Sequence, residues 1–167
     1  EVNSNLNEMS SMLNEISEQF KNENAEKMTK EFIIIIENLL TMSNQQEYLI
    51  NQTIDIKSNS PELKTLNQKQ YNIDRELNQL TKQLINLSSQ TFFVNPNINR
   101  LLGKLKNSIS KSVTSFEQKK MSTGRKNQVN ILNHINEITF LLLLSMDEMQ
   151  NSQSISGFEQ FMQSLEE

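Results

Sequence analysis

Seven-residue apolar repeats, each broken once by glutamine, constrain this chain more than anything else in it. From Met28 an apolar stripe runs through Phe32, Ile35, Leu39 and Met42, meets Gln46 where an apolar residue is due, and resumes at Leu49. A second stripe starts at Leu63 and Leu66, meets Gln70, and continues through Ile73, Leu77, Leu80, Leu84 and Leu87. Alternating steps of four and three keep such positions on one face of a helix that packs against its neighbours at a shallow angle. The pattern predicts an all-α fold, an antiparallel bundle of four long helices with coiled-coil-like packing and short flanking helices at both termini.

Helix punctuation divides the chain. Ser60-Pro61 and Asn95-Pro96 each offer an N-cap followed by proline at the first helical position. Thr123-Gly124 marks another break, and Ser156-Gly157-Phe158-Glu159 has capping-box spacing. At Asn22 to Asn24 the stripe of Leu6, Met9, Leu13, Ile16 and Phe20 falls out of phase with Met28, which predicts a further break. The expected helices are about 5–22, 25–57, 61–91, 96–120, 124–150 and 157–166. They form a single helical-bundle domain over 1–167, expected to be a piece of a larger protein because the chain starts at Glu1 without methionine.

Short connections turn consecutive helices antiparallel, and folding about each turn sets a register. Gln46 falls across from Gln70, Gln70 near Gln118, and that level meets Gln128. A polar layer of Gln46, Gln70, Gln118 and Gln128 is expected inside the bundle. We read it as a hydrogen-bonded amide cluster that fixes register, as buried amides do in coiled coils, in preference to a ligand site. The same arithmetic brings Ile33 to Ile36 level with Leu84, Leu102, Leu105 and the run Phe140 to Leu143. Runs that cover most of a helix need a second neighbour. The terminal helices, folded back to bring Met9, Met12 and Leu13 and Phe161, Met162 and Leu165 to that level, would supply it. Without such packing the runs become an interface.

Chemistry is hard to write from this composition. Asn, Gln and Ser make up about a third of the chain, and there are 3 Gly, 2 Pro, no Cys and no Trp. Without cysteine there is no thiol nucleophile, thiolate metal site or disulfide. His134 is the one histidine and has no Glu three residues before it, so neither a di-iron pattern nor a histidine-dependent triad is available. Gly103, Gly124 and Gly157 cannot form a phosphate-cradling loop. Asp74 with Glu76, and Asp147 with Glu148, point apart on a helix. We therefore expect no catalytic residues, no metal, no cofactor and no enzymatic activity. Met9, Met12, Met28, Met42, Met146, Met149 and Met162 fit core filling better than an adaptable binding surface. The acceptor patterns Asn51-Gln52-Thr53 and Asn86-Leu87-Ser88 lie mid-helix. Uninterrupted apolar runs are too short to span a bilayer.

The net charge of −4 is unevenly spread. Acids dominate up to Glu47, whereas Lys104, Lys106, Lys111, Lys119, Lys120, Arg125 and Lys126 face only Glu117. Lys104, Lys111, Lys119, Lys120, Arg125 and Lys126 are a candidate basic surface for an anionic partner. No aromatics interleave with them, so nucleic acid is not the expected partner.

Residues 40–49 (LTMSNQQEYL), 66–73 (LNQKQYNI), 128–133 (QVNILN) and 154–162 (SISGFEQFM) resemble the Gln-rich helical region of a family of large bacterial envelope proteins that carry a domain of unknown function. The resemblance covers most of the chain, through motifs of low complexity. It implies a periplasmic helical domain tethered to the membrane by an anchor outside this segment, and it carries over no catalytic residues. The expected role is a non-enzymatic protein-interaction or scaffold domain whose partners are other protein helices, in the same or another chain. The alternatives are a ligand-sensing bundle, with the glutamine layer or the Thr123 end holding a small molecule, and an anionic-surface or nucleic-acid-binding bundle.

Overall fold

The computed structural model describes the backbone of residues 2–166 and the side chains of residues 24–152. It contains four helices: α1 (Val2–Thr53, 52 residues), α2 (Glu62–Gln90, 29 residues), α3 (Asn97–Glu117, 21 residues) and α4 (Met121–Glu166, 46 residues). No strand occurs among the described residues. α1 packs on α2 and α4, and α3 packs on α2 and α4, so each helix has two neighbours around one core.

The two stripes become this core as their spacing predicts. Phe32, Ile35, Leu39, Met42, Gln46 and Leu49 are buried on α1, and all eight stripe positions from Leu63 to Leu87 are buried on α2. α3 adds Ile98, Leu101, Leu105 and Ile109, and α4 adds Ile131, Ile135, Ile138 and Leu142. Burying each such side chain contributes roughly 1.5–3 kcal/mol. Charge contributes little: among the described residues one ion pair forms, Lys30 with Glu26 at 3.9 Å, and both side chains are largely in solvent.

Cross-helix hydrogen bonds define the pairing. Gln90 meets Glu31, Gln70 meets Gln46 and Lys69 meets Gln52, so residue numbers rise along α1 as they fall along α2. Ser43 pairs with Asn136 and Thr53 with Gln128 between α1 and α4. Tyr71 pairs with Glu117 and Lys106 with Asn78 between α2 and α3.

Three expected boundaries are corrected. α1 runs unbroken through Asn22 to Asn24, and α4 through Ser152 to Gly157, so the separate helices expected at 5–22 and 157–166 are continuations of α1 and α4. Asn and Ser cost only a fraction of a kcal/mol inside a helix and a lone Gly about 1 kcal/mol; without proline the hydrogen-bond ladder continues. A change of stripe phase moves the apolar face without breaking a helix, and capping-box spacing acts only where a helix begins. The predicted contacts of Met9, Met12, Leu13, Phe161, Met162 and Leu165 lie outside the described side chains.

The third correction is at the α3–α4 turn, where Gly124 is not the breaker. α3 ends at Glu117 and α4 begins at Met121. Lys119 sits in the left-handed region at φ 59°, its N–H donating to Phe116 O at 2.9 Å while Lys120 N–H donates to Ser115 O at 2.7 Å. This pair of bonds is a Schellman cap, which usually places glycine where Lys119 stands. Gly124 lies in the first turn of α4, and a Cβ there would stand 2.4 Å from Phe116 Cε1. It is small because the ring of Phe116 packs against its backbone.

Of the expected helix starts, Asn95 caps α3, accepting from Asn97 N–H at 3.0 Å. Ser60 instead gives its hydroxyl to the Glu62 carboxylate at 2.5 Å. By length and composition alone, the stretch Met121–Ser152 is long and apolar enough to cross a membrane, its most apolar 18 residues having a mean hydropathy of 1.3 with 33% of them buried. This corrects the expectation drawn from uninterrupted runs; the buried part is the stripe of Ile131, Ile135, Ile138 and Leu142 that faces the other helices.

Candidate functional site

Gln46, Gln70 and Gln128 are buried together at one level, on three different helices. Gln70 Nε2 donates to Gln46 Oε1 at 2.8 Å, and Gln46 Nε2 donates to Gln70 Oε1 at 3.5 Å. Gln46 Nε2 also reaches the backbone carbonyl of Gln128 at 3.4 Å. Gln128 Nε2 donates to Gln70 Oε1 at 3.4 Å, which ties α4 to α2 across the diagonal of the bundle. Thr53 completes the layer: its buried hydroxyl donates to Gln128 Oε1 at 2.7 Å. Every carboxamide oxygen of the three glutamines thus has a donor. The layer is neutral and satisfied from within.

Gln118 does not belong to it. It is the exposed residue that closes α3, because the Schellman turn ends that helix one residue earlier. Phe116, 1% exposed, fills the corresponding level of α3. Thr53 was not foreseen; its visible signal is that it lies seven residues after Gln46, on the same stripe.

The candidate basic surface is dispersed. Arg125 is half-buried, its Nε donating to Thr53 O at 2.9 Å and its second guanidinium nitrogen to Ile56 O at 3.0 Å. It satisfies carbonyls at the C-terminal end of α1, where a cation is favoured. Lys119 Nζ donates to Asn59 Oδ1 at 3.1 Å. Lys104 and Lys111, seven apart, share an exposed face of α3, while Lys120 and Lys126 are exposed around the α3–α4 turn. Among the methionines with described side chains, Met42 and Met149 are buried and Met28 and Met146 are half-buried against the core.

Beside this turn lies an open cleft of about 670 Å³. The α1–α2 connection contributes Ser58, Asn59 and Ser60, the first turns of α2 contribute Leu63, Lys64, Asn67 and Tyr71, and the end of α3 contributes Phe116, Glu117 and Lys119. Leu63 and Phe116 are buried behind its wall, and the Tyr71 ring, 45% exposed, gives it accessible apolar surface. Tyr71 donates to Glu117 Oε1 at 3.3 Å. Slight desolvation and the Glu117 carboxylate raise the Tyr71 phenol above its ordinary pKa. Asn67 Oδ1, occluded from solvent, has no hydrogen-bond partner.

A second surface feature runs along the α1–α4 seam. Ile33, Leu40, Phe140 and Leu143 are 41, 49, 60 and 43% exposed. Ser43 Oγ donates to Asn136 Oδ1 at 2.7 Å, and one turn further along both helices Leu40 and Phe140 stand at the same level. These are the apolar runs for which a second neighbour was expected. Among the described residues, no group of three or more His, Asp or Glu side chains converges to hold a metal ion. No protein-family model, no curated protein and no solved structure matches the chain.

Proposed function

We propose that this chain is a non-enzymatic protein-interaction or scaffold domain, an antiparallel, up-and-down helical bundle whose partner is another amphipathic helix. Opposed numbering in the cross-helix hydrogen bonds supports the antiparallel arrangement. The observation that carries the functional reading is the apolar band of Ile33, Leu40, Phe140 and Leu143 on the outer α1–α4 seam. Contiguous exposed apolar side chains on a folded bundle mark a contact surface, and an amphipathic helix laid along two parallel ridges is the simplest way to cover them. The setting in a bacterial envelope protein rests on the Gln-rich segments quoted above. Its membrane anchor would lie outside this segment.

Crosslinking and affinity capture of the parent protein from its own cells tests the proposal, with and without the paired changes Leu40→Glu and Phe140→Glu. We expect a reproducible protein partner that the altered protein loses while keeping its helical signal and melting temperature. Retention of the partner by the altered protein, or turnover of a defined substrate by the purified domain, would overturn the proposal.

A ligand-sensing role has one observation in its favour, the cleft at the α3–α4 turn. The glutamine layer does not support it, since its carbonyls are already engaged. Binding of an anionic surface draws less support, because Arg125 is engaged by the carbonyls of Thr53 and Ile56 and the lysines are dispersed.

A further inference from the structure

The geometry points to the cleft between the α1–α2 connection and the end of α3 as a binding site for a small zwitterion of the amino-acid class with an apolar side chain. This does not depend on the scaffold proposal, which concerns the opposite, α1–α4 side of the molecule.

Three features of the cleft converge. Its lining carries charges of both signs that form no ion pair among the described residues: Lys64 on α2, and Glu117 and Lys119 at the end of α3. Lys119 Nζ gives one of its hydrogens to Asn59 Oδ1 and keeps two for a ligand. Glu117 is met by the Tyr71 hydroxyl alone, through Oε1, which leaves Oε2 to accept another hydrogen bond. Lys64 and Glu117 stand on different walls of the cleft, and that opposition suits a ligand that carries the complementary pair, its carboxylate toward Lys64, with Lys119 beside it, and its ammonium toward Glu117.

The second feature is Asn67, whose Oδ1 is buried without a donor. A buried carbonyl left unpaired is unfavourable and rare in folded proteins. Asn67 belongs to the cleft lining, and a ligand ammonium is the kind of donor this oxygen lacks. The third is apolar surface: the Tyr71 ring, 45% exposed, and the edge of Leu63, 8% exposed, line the cleft with Phe116 packed behind them, which suits an aliphatic or aromatic side chain. A volume of about 670 Å³ lies within the range of sites for small organic ligands. A bare carboxylate, amine or hydrocarbon would engage one of these features and leave the others unmet.

The test is a titration of the full chain, followed by calorimetry and by the NMR signal of the Asn67 side-chain amide. The probes are free L-leucine and L-phenylalanine, with 4-methylpentanoate and isopentylamine as leucine analogues that each lack one charge. We expect saturable binding of at least one amino acid, a shift of the Asn67 amide, and binding of both single-charge analogues weaker by about tenfold or more. Glu117→Gln and Lys119→Gln, both at exposed positions, are each expected to weaken binding by about tenfold while leaving the melting temperature near that of the parent. The proposal is overturned if neither amino acid binds saturably, if an analogue binds as well as the amino acid, or if both substitutions leave affinity unchanged.

Discussion

Gln70 holds the centre of the polar layer: its carbonyl oxygen accepts from both Gln46 and Gln128, and its amide donates back to Gln46. Removing it alone strands buried groups on both neighbours, whereas removing all three amides removes donors and acceptors together. Gln70→Leu is therefore expected to destabilise the fold by about 1–3 kcal/mol in chemical denaturation. The triple change of Gln46, Gln70 and Gln128 to Leu is expected to recover that loss or exceed the parent's stability, because replacing paired buried polar groups by apolar ones is often neutral or stabilising. Equal loss in the single and triple variants would show that the layer is not a mutually satisfied unit. His134 makes a different prediction. Burial lowers its pKa and Lys104 adds to that, while Glu137 opposes it; Nδ1 is buried without a partner. With the folded value below the unfolded value of about 6.5, the unfolded chain binds the proton first. The contribution is whole above the unfolded pKa and is lost as pH falls toward the folded one. Melting temperature measured on acidification below about pH 6.5 is thus expected to fall more steeply in the parent than in His134→Gln.

At the scale of the helices, the α3–α4 turn shows what residue type alone conveys and what it hides. A Thr-Gly pair reads as a break, yet the left-handed residue is Lys119 and Gly124 is helical. Both assignments depend on tertiary placement, since only the packed Phe116 ring explains why Gly124 cannot carry a Cβ. Lys119→Gly removes the left-handed penalty and is expected to stabilise the protein by about 1 kcal/mol. Gly124→Ala forces Phe116 to shift and is expected to cost about 1–3 kcal/mol, a loss that adding Phe116→Leu should partly relieve. Melting curves of the two single variants and the double variant check both signs. The stripes of α1 and α2 were legible because period and burial coincide at each position from Phe32 to Leu49 and from Leu63 to Leu87. Three glutamines of the layer were legible for the same reason. Gln118 was misplaced because counting across a turn assumes that the helix reaches the counted residue, and α3 stops at Glu117. The breaks expected at Asn22 to Asn24 and near Ser156 failed because weak helix formers lower stability without ending a ladder.

At the scale of the whole molecule, core and layer combine to specify one alignment. Interchangeable Leu and Ile stripes tolerate a slip of one heptad, but a slipped register would bury Gln46 and Gln70 against apolar side chains at the cost of their hydrogen bonds. The layer thereby holds the exposed apolar band and the cleft in fixed relation to the same four helices. The absence of cysteine makes that claim directly measurable, since label pairs can be introduced without background. The decisive measurement is a spin-label distance between Glu31→Cys and Gln90→Cys, made in the parent and in the triple Leu variant of the layer. A single short, narrow distance in the parent that broadens or splits in the variant is the result expected of antiparallel helices registered by buried glutamines. A long distance in the parent, on the order of the 40 Å that α2 spans at 1.5 Å per residue, or an equally narrow one in both proteins, would contradict it.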